Sequence, residues 1–224
     1  SLRMNRKKSM DHRTRVGQER SNRTRLRILE AAMRVFAEKG PDAPVIQDFI
    51  IAAGMSRGTF YNYFNSIEEL LIATSKQLED ELIVSIQAEI ESMPSPVERM
   101  TFGMLLWLQK AADDPTWCAF VNRVAHHSVM VETQLGGDLR GGISCGELSC
   151  PDLNAAYDLV VGTLRQSMNR MLTEKVQTNY PKLVVHTVLQ GLGVGNKQIK
   201  TLLDRAVPQM RRPARTISRL AAVS

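Results

Sequence analysis

Ala52-Ala53-Gly54-Met55-Ser56-Arg57-Gly58-Thr59-Phe60-Tyr61-Asn62-Tyr63-Phe64 is the stretch on which the reading of this chain turns. It reads as a helix end, a glycine turn and a second, very short helix. Gly54 lets the backbone turn where a Cβ would be strained. Ser56 is a natural N-cap, and the helix it opens lasts barely two turns before Asn65-Ser66. Just upstream, Ile46, Phe49 and Ile50 give a buried stripe to a helix from Val45 to Ala53. Earlier still, Ile28, Ala32 and Val35 form one row of a helix from about Thr24 to Lys39, and Leu29, Met33 and Phe36 form its neighbour. Gly40-Pro41 stops it. Two helices joined as tightly as the second and third are the build of a helix-turn-helix, whose second helix enters the DNA major groove.

The short helix carries the right chemistry for that groove. Ser56 and Thr59 offer hydroxyls to phosphate. Arg57 can grip a phosphate or take guanine O6 and N7 together, and Asn62 can read adenine. Gly58 permits close approach. Tyr61 offers a hydroxyl to phosphate and a ring edge to a thymine methyl, and Tyr63 is a further contact. The plainer reading of Tyr61 or Tyr63 is a half-buried aromatic. Phe60 and Phe64 are expected to face inward, onto Phe36 and Phe49.

Charge points the same way. The chain has 224 residues and a net charge of +6, and residues 1–27 hold ten basic side chains against Asp11 and Glu19 alone. The remainder is slightly acidic. Residues 1–23 read as a basic, flexible arm suited to a polyanion, or as a solvated tail. No run approaches the roughly 20 apolar residues of a membrane span. No secretory signal core follows the basic start, so a cytoplasmic protein is expected, with no membrane partner. Cys118, Cys145 and Cys150 are too few and too odd for a disulfide framework.

Ser66-Ile67-Glu68-Glu69 reads as a capping box, Ser66 and Glu69 satisfying free backbone N–H groups reciprocally. It opens a linking helix to about residue 93. The helix-turn-helix domain therefore occupies residues 24–70, and Pro94-Ser95-Pro96 starts a larger helical domain over 94–207. Its expected helices are Val97–Ala112, Thr116 to about Leu135 (closed by Gly136-Gly137), Pro151 to about Thr173, Pro181 to Leu192 and Lys197–Ala206. Residues 141–146 read as irregular, and 208–224 as a basic tail. The fold class is all-α.

The first seventy residues resemble the TetR-type transcriptional regulators. The resemblance rests on Ile28-Leu29-Glu30-Ala31-Ala32, Phe36, Gly40, Asp48-Phe49, Ala53 through Thr59, Tyr61, Tyr63-Phe64 and Ser66 through Leu70, held without a gap. It implies a homodimer whose N-terminal units each read half of a near-palindromic operator on double-stranded DNA. It also implies a C-terminal domain that binds a small-molecule effector and dimerises through its two long helices, here about 152–173 and 181–192. The DNA-binding set carried over is Arg25, Gln47, Ser56, Arg57, Gly58, Thr59, Tyr61, Asn62 and Tyr63. Two departures stand out. Ile67 occupies a place where such proteins often have a phosphate-binding lysine, and Val45 and Ile46 replace frequent hydroxyl residues. Gln47 and the arm residues Arg23, Arg25 and Arg27 are expected to compensate.

In the larger domain, Met104, Trp107, Leu108, Trp117, Phe120, His126 and His127 are candidates for an apolar or aromatic effector site, a histidine being its polar anchor. The competing reading is plain core. Adjacent His126-His127 diverge by about 100° on a helix and make no metal site. No nucleophile elbow, P-loop, dinucleotide fingerprint or metal spacing occurs, so neither catalytic residues nor a cofactor are expected. The sequence thus indicates a repressor released by a hydrophobic or aromatic effector. Two alternatives are a redox-responsive regulator working through Cys145 and Cys150, and an effector-independent DNA-binding protein.

Overall fold

A computed structural model describes residues 2–40, 42–124 and 128–211, and these form ten helices and no strand. His126 and His127 lie outside the described residues. The helices are α1 (Leu2–Lys39), α2 (Ile46–Ala53), α3 (Arg57–Tyr61), α4 (Ile67–Ile90), α5 (Pro96–Asp113), α6 (Pro115–Arg123), α7 (Val129–Ser144), α8 (Leu153–Thr173), α9 (Tyr180–Gly191) and α10 (Asn196–Asp204). They divide into two compact units between Thr74 and Ser75, a boundary inside α4.

The smaller unit packs α1 on α2 around the expected stripes. Ile28, Leu29, Ala32, Met33 and Phe36 are buried, as are Phe49, Phe60, Phe64 and Leu70. The Phe36 and Phe49 ring centroids lie 5.0 Å apart. α1 begins at Leu2, not near Thr24, so residues 2–23 continue the helix rather than forming a separate flexible arm. The stretch has no proline and one glycine, and its Arg, Lys, Met, Leu, Gln and Glu residues are good helix formers. Arg15 and Glu19 add an i,i+4 pair at 3.7 Å.

In the larger unit α5 is apolar nearly all round, with Phe102, Leu106 and Leu108 fully enclosed, and α6, α7, α8, α9 and α10 pack on it. The expected single helix from Thr116 to Leu135 is two. Val124 turns extended, and the chain restarts at Ser128, whose Oγ accepts from Val131 N at 3.2 Å. Ser128 N donates at 2.7 Å to Glu79, a wholly buried carboxylate on α4. That pairing gives an enclosed charge a donor, and it fixes where α7 starts.

α7 then runs straight through Gly136-Gly137 and Gly141-Gly142, which were expected to end a helix and to form a loop. Gly142 is a packing residue: a Cβ there would stand 2.7 Å from Leu148. Gly191, at the end of α9, faces Leu159 of α8 at 2.8 Å in the same way. Gly193 has φ +81°, and its missing Cβ would meet Ser149 at 2.7 Å.

Candidate functional site

The turn between α2 and α3 is fixed from both sides. Gly54 adopts φ 60°, ψ 46°, and Gly54 N and Met55 N donate to Ile51 O and Ile50 O at 3.1 and 3.3 Å. From α1, Arg27 Nη2 donates to Ala53 O at 3.1 Å and Arg34 Nη2 to Ala52 O at 3.4 Å. These guanidiniums satisfy the last carbonyls of α2, at the negative end of its dipole. Arg27, expected to help hold phosphate, also braces the turn through one N–H while its side chain stays exposed.

Ser56 caps α3 as expected, its Oγ accepting from Thr59 N at 3.1 Å while the two hydroxyls share a 2.8 Å hydrogen bond. Phe60 and Phe64 are buried, with centroids 6.3 Å apart. Above that anchor Ser56, Arg57, Gly58, Tyr61 and Asn62 are exposed, and Thr59 and Tyr63 are half-buried. The Arg57 guanidinium carbon lies 5.7 Å from the Tyr61 ring centroid, and the Tyr61 ring meets Phe60 edge-on at 5.8 Å. The stack gives a long arginine a preferred direction. Arg25 is exposed, its guanidinium carbon 5.5 Å from the Phe64 ring centroid. Arg25 therefore stands beside the α3 anchor, and Gln47 is exposed on α2.

The flank lacking the usual polar groups is apolar: Val45 is exposed, and Ile46 and Ile67 are half-buried. Asp48 closes the start of α2, accepting from Val45 N at 2.9 Å and from Lys39 Nζ at 2.7 Å. Those two bonds, chiefly the lysine, hold the Asp48 carboxyl below its ordinary pKa. Ser66 Oγ accepts from Glu69 N at 3.0 Å, but the Glu69 carboxylate reaches one residue further back than expected and takes Asn65 N at 2.9 Å.

The larger unit contains a cavity of about 90 Å³. Ile83, Ile86 and Ile90 of α4 form one side, and Met100, Gly103, Met104 and Trp107 of α5 form another. α7 and α8 close it with Val131, Leu135, Val160, Val161, Leu164 and Met168. Trp107 Nε1 donates to Met168 Sδ at 3.4 Å. Of the expected effector residues, Met104 and Trp107 line this space. Leu108, Trp117 and Phe120 do not: they are buried core, with Trp117 edge-on to Trp107 at 5.6 Å.

Four polar lining residues went unnoticed in the sequence: Arg99, Gln134, Asp138 and Arg165. Asp138 accepts from Arg99 Nε at 2.8 Å and from Gln134 Nε2 at 3.2 Å, and Gln87 Nε2 orients Gln134 by donating to its Oε1 at 2.6 Å. Arg165 Nη1 and Nη2 donate to Val124 O at 2.7 Å and Asn122 O at 2.9 Å. A signal was available. Residues 99, 100, 103, 104 and 107, and 160, 161, 164, 165 and 168, repeat one inward spacing, so each arginine is a charge set in an apolar stripe.

Cys118 is buried, and desolvation first, then nearby Asp114, push its thiol up to about 11, which leaves it protonated and unreactive near neutral pH. Cys145 is exposed and Cys150 half-buried, and both are free thiols. Among the described residues no group of three or more His, Cys, Asp or Glu side chains is placed to hold a metal ion, and no helix is long and apolar enough to cross a membrane.

Residues 28–74, which contain the turn and the exposed face of α3, match the family "Bacterial regulatory proteins, tetR family". That segment carries the TetR-family signature. An uncharacterised helix-turn-helix transcriptional regulator of Mycobacterium tuberculosis is 30% identical over 115 residues, 51% of this chain and 54% of that protein. The chain thus spans about half the length of the curated mycobacterial relatives it matches. The fatty acid metabolism regulator protein of Bacillus subtilis is 24% identical over 157 residues, 64% of this chain and 80% of that one. Among solved structures, RolR in complex with resorcinol aligns with a TM-score of 0.70 at 20% identity, covering 87% of this chain and all of that one. FadR of Bacillus subtilis in complex with stearoyl-CoA gives 0.57 at 20% identity, covering 75% and 96%. At these identities the structural likeness is one of fold.

Proposed function

We propose that this chain is a TetR-family, sequence-specific DNA-binding repressor that acts as a homodimer and leaves a near-palindromic operator when a small hydrophobic or aromatic effector binds. The observation that carries the reading is the exposed row Ser56, Arg57, Gly58, Tyr61 and Asn62 on a helix pinned from beneath by Phe60 and Phe64. Phosphate contacts by the hydroxyls and Arg25 position the helix, while Arg57 and Asn62 read bases. Each good bidentate pair is worth about 1–3 kcal/mol of discrimination. Two reading heads related by a two-fold axis match a palindrome. α8 and α9 supply the dimer contact in this reading, and Leu172 and Leu183 leave apolar surface on them.

The cavity supports the effector half of the proposal. It is nearly apolar, and three methionines let its walls repack. An engineered cavity of about 150 Å³ takes benzene. A space of about 90 Å³ is smaller still, so with its methionines repacked it has room for one ring at most, the size of the resorcinol held by RolR, rather than a long acyl chain of the kind held by FadR. An effector that prefers a dimer geometry unsuited to successive major grooves lowers DNA affinity by its differential affinity. The test is in-vitro selection of bound DNA, followed by fluorescence anisotropy on the selected operator with a panel of single-ring effectors. Enrichment of a near-palindrome and its ligand-dependent release are expected. Binding that ignores sequence would remove the regulator reading, and sequence-specific binding that no ligand releases would remove the effector.

A further inference from the structure

The two arginines of the cavity are not equivalent. Arg99 is neutralised: its Nε and Nη2 both lie 2.8 Å from Asp138, and its Nη1 donates to Met93 O and Pro94 O. Arg165 has no such partner. Its two terminal nitrogens each meet a backbone carbonyl, of Val124 and Asn122 at the C-terminal end of α6, and among the described residues no carboxylate pairs with it. Those carbonyls hold the guanidinium in place without cancelling its charge.

A guanidinium has five N–H groups in a planar fork, and the two carbonyls use two of them. Most of the residues that line the cavity with Arg165 are apolar. Met168, one turn along α8, touches Trp107, and Trp107 lies eight residues from Arg99 along α5. That distance is about 12 Å of helix between Arg99 and the Trp107–Met168 contact.

We infer that the cavity takes a small apolar anion, a single ring bearing a carboxylate, with Arg165 as its charge partner. This rests on the cavity being the effector site. The ring packs among Met104, Trp107 and Met168, and the carboxylate accepts from the unused N–H groups of Arg165. Asp138, already neutralised by Arg99, repels the anion less than a free carboxylate would. A charge-assisted hydrogen bond in a partly desolvated site favours the anion over a neutral analogue of the same shape by about 10- to 100-fold.

The experiment is titration calorimetry on the full chain with benzoate and phenylacetate, each set against its neutral amide, benzamide and phenylacetamide. The wild-type protein is expected to bind the carboxylates at least about 10-fold more tightly. Arg165→Gln is expected to lose that preference while still binding the neutral rings, and Arg165→Lys to keep part of it. Because Arg165 also caps α6, Arg165→Gln can weaken the fold; the wild-type comparison of charged and neutral ligands stands without that variant. Equal affinities in the wild type, or no binding by either carboxylate, would overturn the inference. Operator release, measured separately by anisotropy, tells the two readings apart. Carboxylates that bind without releasing DNA sink the coupling and leave this assignment standing. Release by the neutral rings alone sinks this assignment and leaves the repressor.

Discussion

The reading unit and the cavity-bearing unit satisfy their polar groups over very different distances along the chain. Around α3 most of the bonds are local: Thr59 to Ser56, Glu69 to Ser66 and Val45 to Asp48 each span three residues, while Arg27 and Arg34 reach in from α1 over 26 and 18. Around the cavity they are remote: Arg99 to Asp138 spans 39 residues, Arg165 to Val124 41, Gln87 to Gln134 47 and Ser128 to Glu79 49. A surface built from local bonds can present the same motif on many bodies. A cavity built from remote ones depends on every helix that closes it, so its specificity shifts when any of them changes.

The sharpest way to break the contrast is Phe60→Ala. Removing a fully buried ring beneath α3 costs about 3–5 kcal/mol, so operator binding should vanish while calorimetry on the cavity still reads ligand. Unchanged denaturation and DNA affinity would show that α3 does not depend on its anchor.

Two glycines of α7 give a smaller effect with opposite signs. Gly142→Ala drives a Cβ to 2.7 Å from Leu148 and should cost about 1–3 kcal/mol by overpacking. Gly137→Ala meets nothing within 4 Å and should stabilise the helix by up to about 1 kcal/mol. Thermal melts of the pair that move in the same direction would contradict the assignment of Gly142 to close packing.

Arg57→Ala should leave the melt unchanged and weaken operator binding by about 1–3 kcal/mol, some ten- to hundred-fold, with relaxed preference at one base position. If Arg57 holds only phosphate, the loss will be uniform across sequences and the salt dependence shallower.

The smallest expected effect is at Asp48. Its pKa is depressed in the fold, so its contribution is present above the ordinary carboxylate value and is lost as pH falls through the folded one. Asp48→Asn should therefore narrow the stability difference between neutral and acidic solution. Parallel pH–Tm curves for the two proteins would show that the lysine pair and the cap add nothing.

What the sequence revealed follows the same division. Gly54, Ser56, Phe60 and Phe64 were legible because caps, turns and helical stripes are short-range features. The break at Val124 was not, since it is set by Glu79 on another helix. The continuity of α7 through four glycines was hidden because glycine at a helix end and glycine under a neighbouring leucine look alike in one dimension. Trp117 and Phe120 were candidates for the cavity by composition, yet the cavity follows helical phase, which selected Met104 and Trp107 with Arg99 and Arg165. Arg27 was counted with the cationic leader, although its position directly before Ile28, where the α1 core begins, lets it reach the last carbonyl of α2.

Gly142, Gly191 and Gly193 each face a side chain at contact distance, Leu148, Leu159 and Ser149 in turn. The first two pairs are agreements between two positions: the glycine can grow only if its neighbour shrinks, whereas Gly193 is held by its φ of +81° and by the Ser149 backbone as well. Across the descent of this protein Gly142 with Leu148, and Gly191 with Leu159, should therefore drift together or not at all, and Gly193 should stay. The surface residues of α3, which face no neighbour of that kind, are free to change one at a time as the DNA they meet changes.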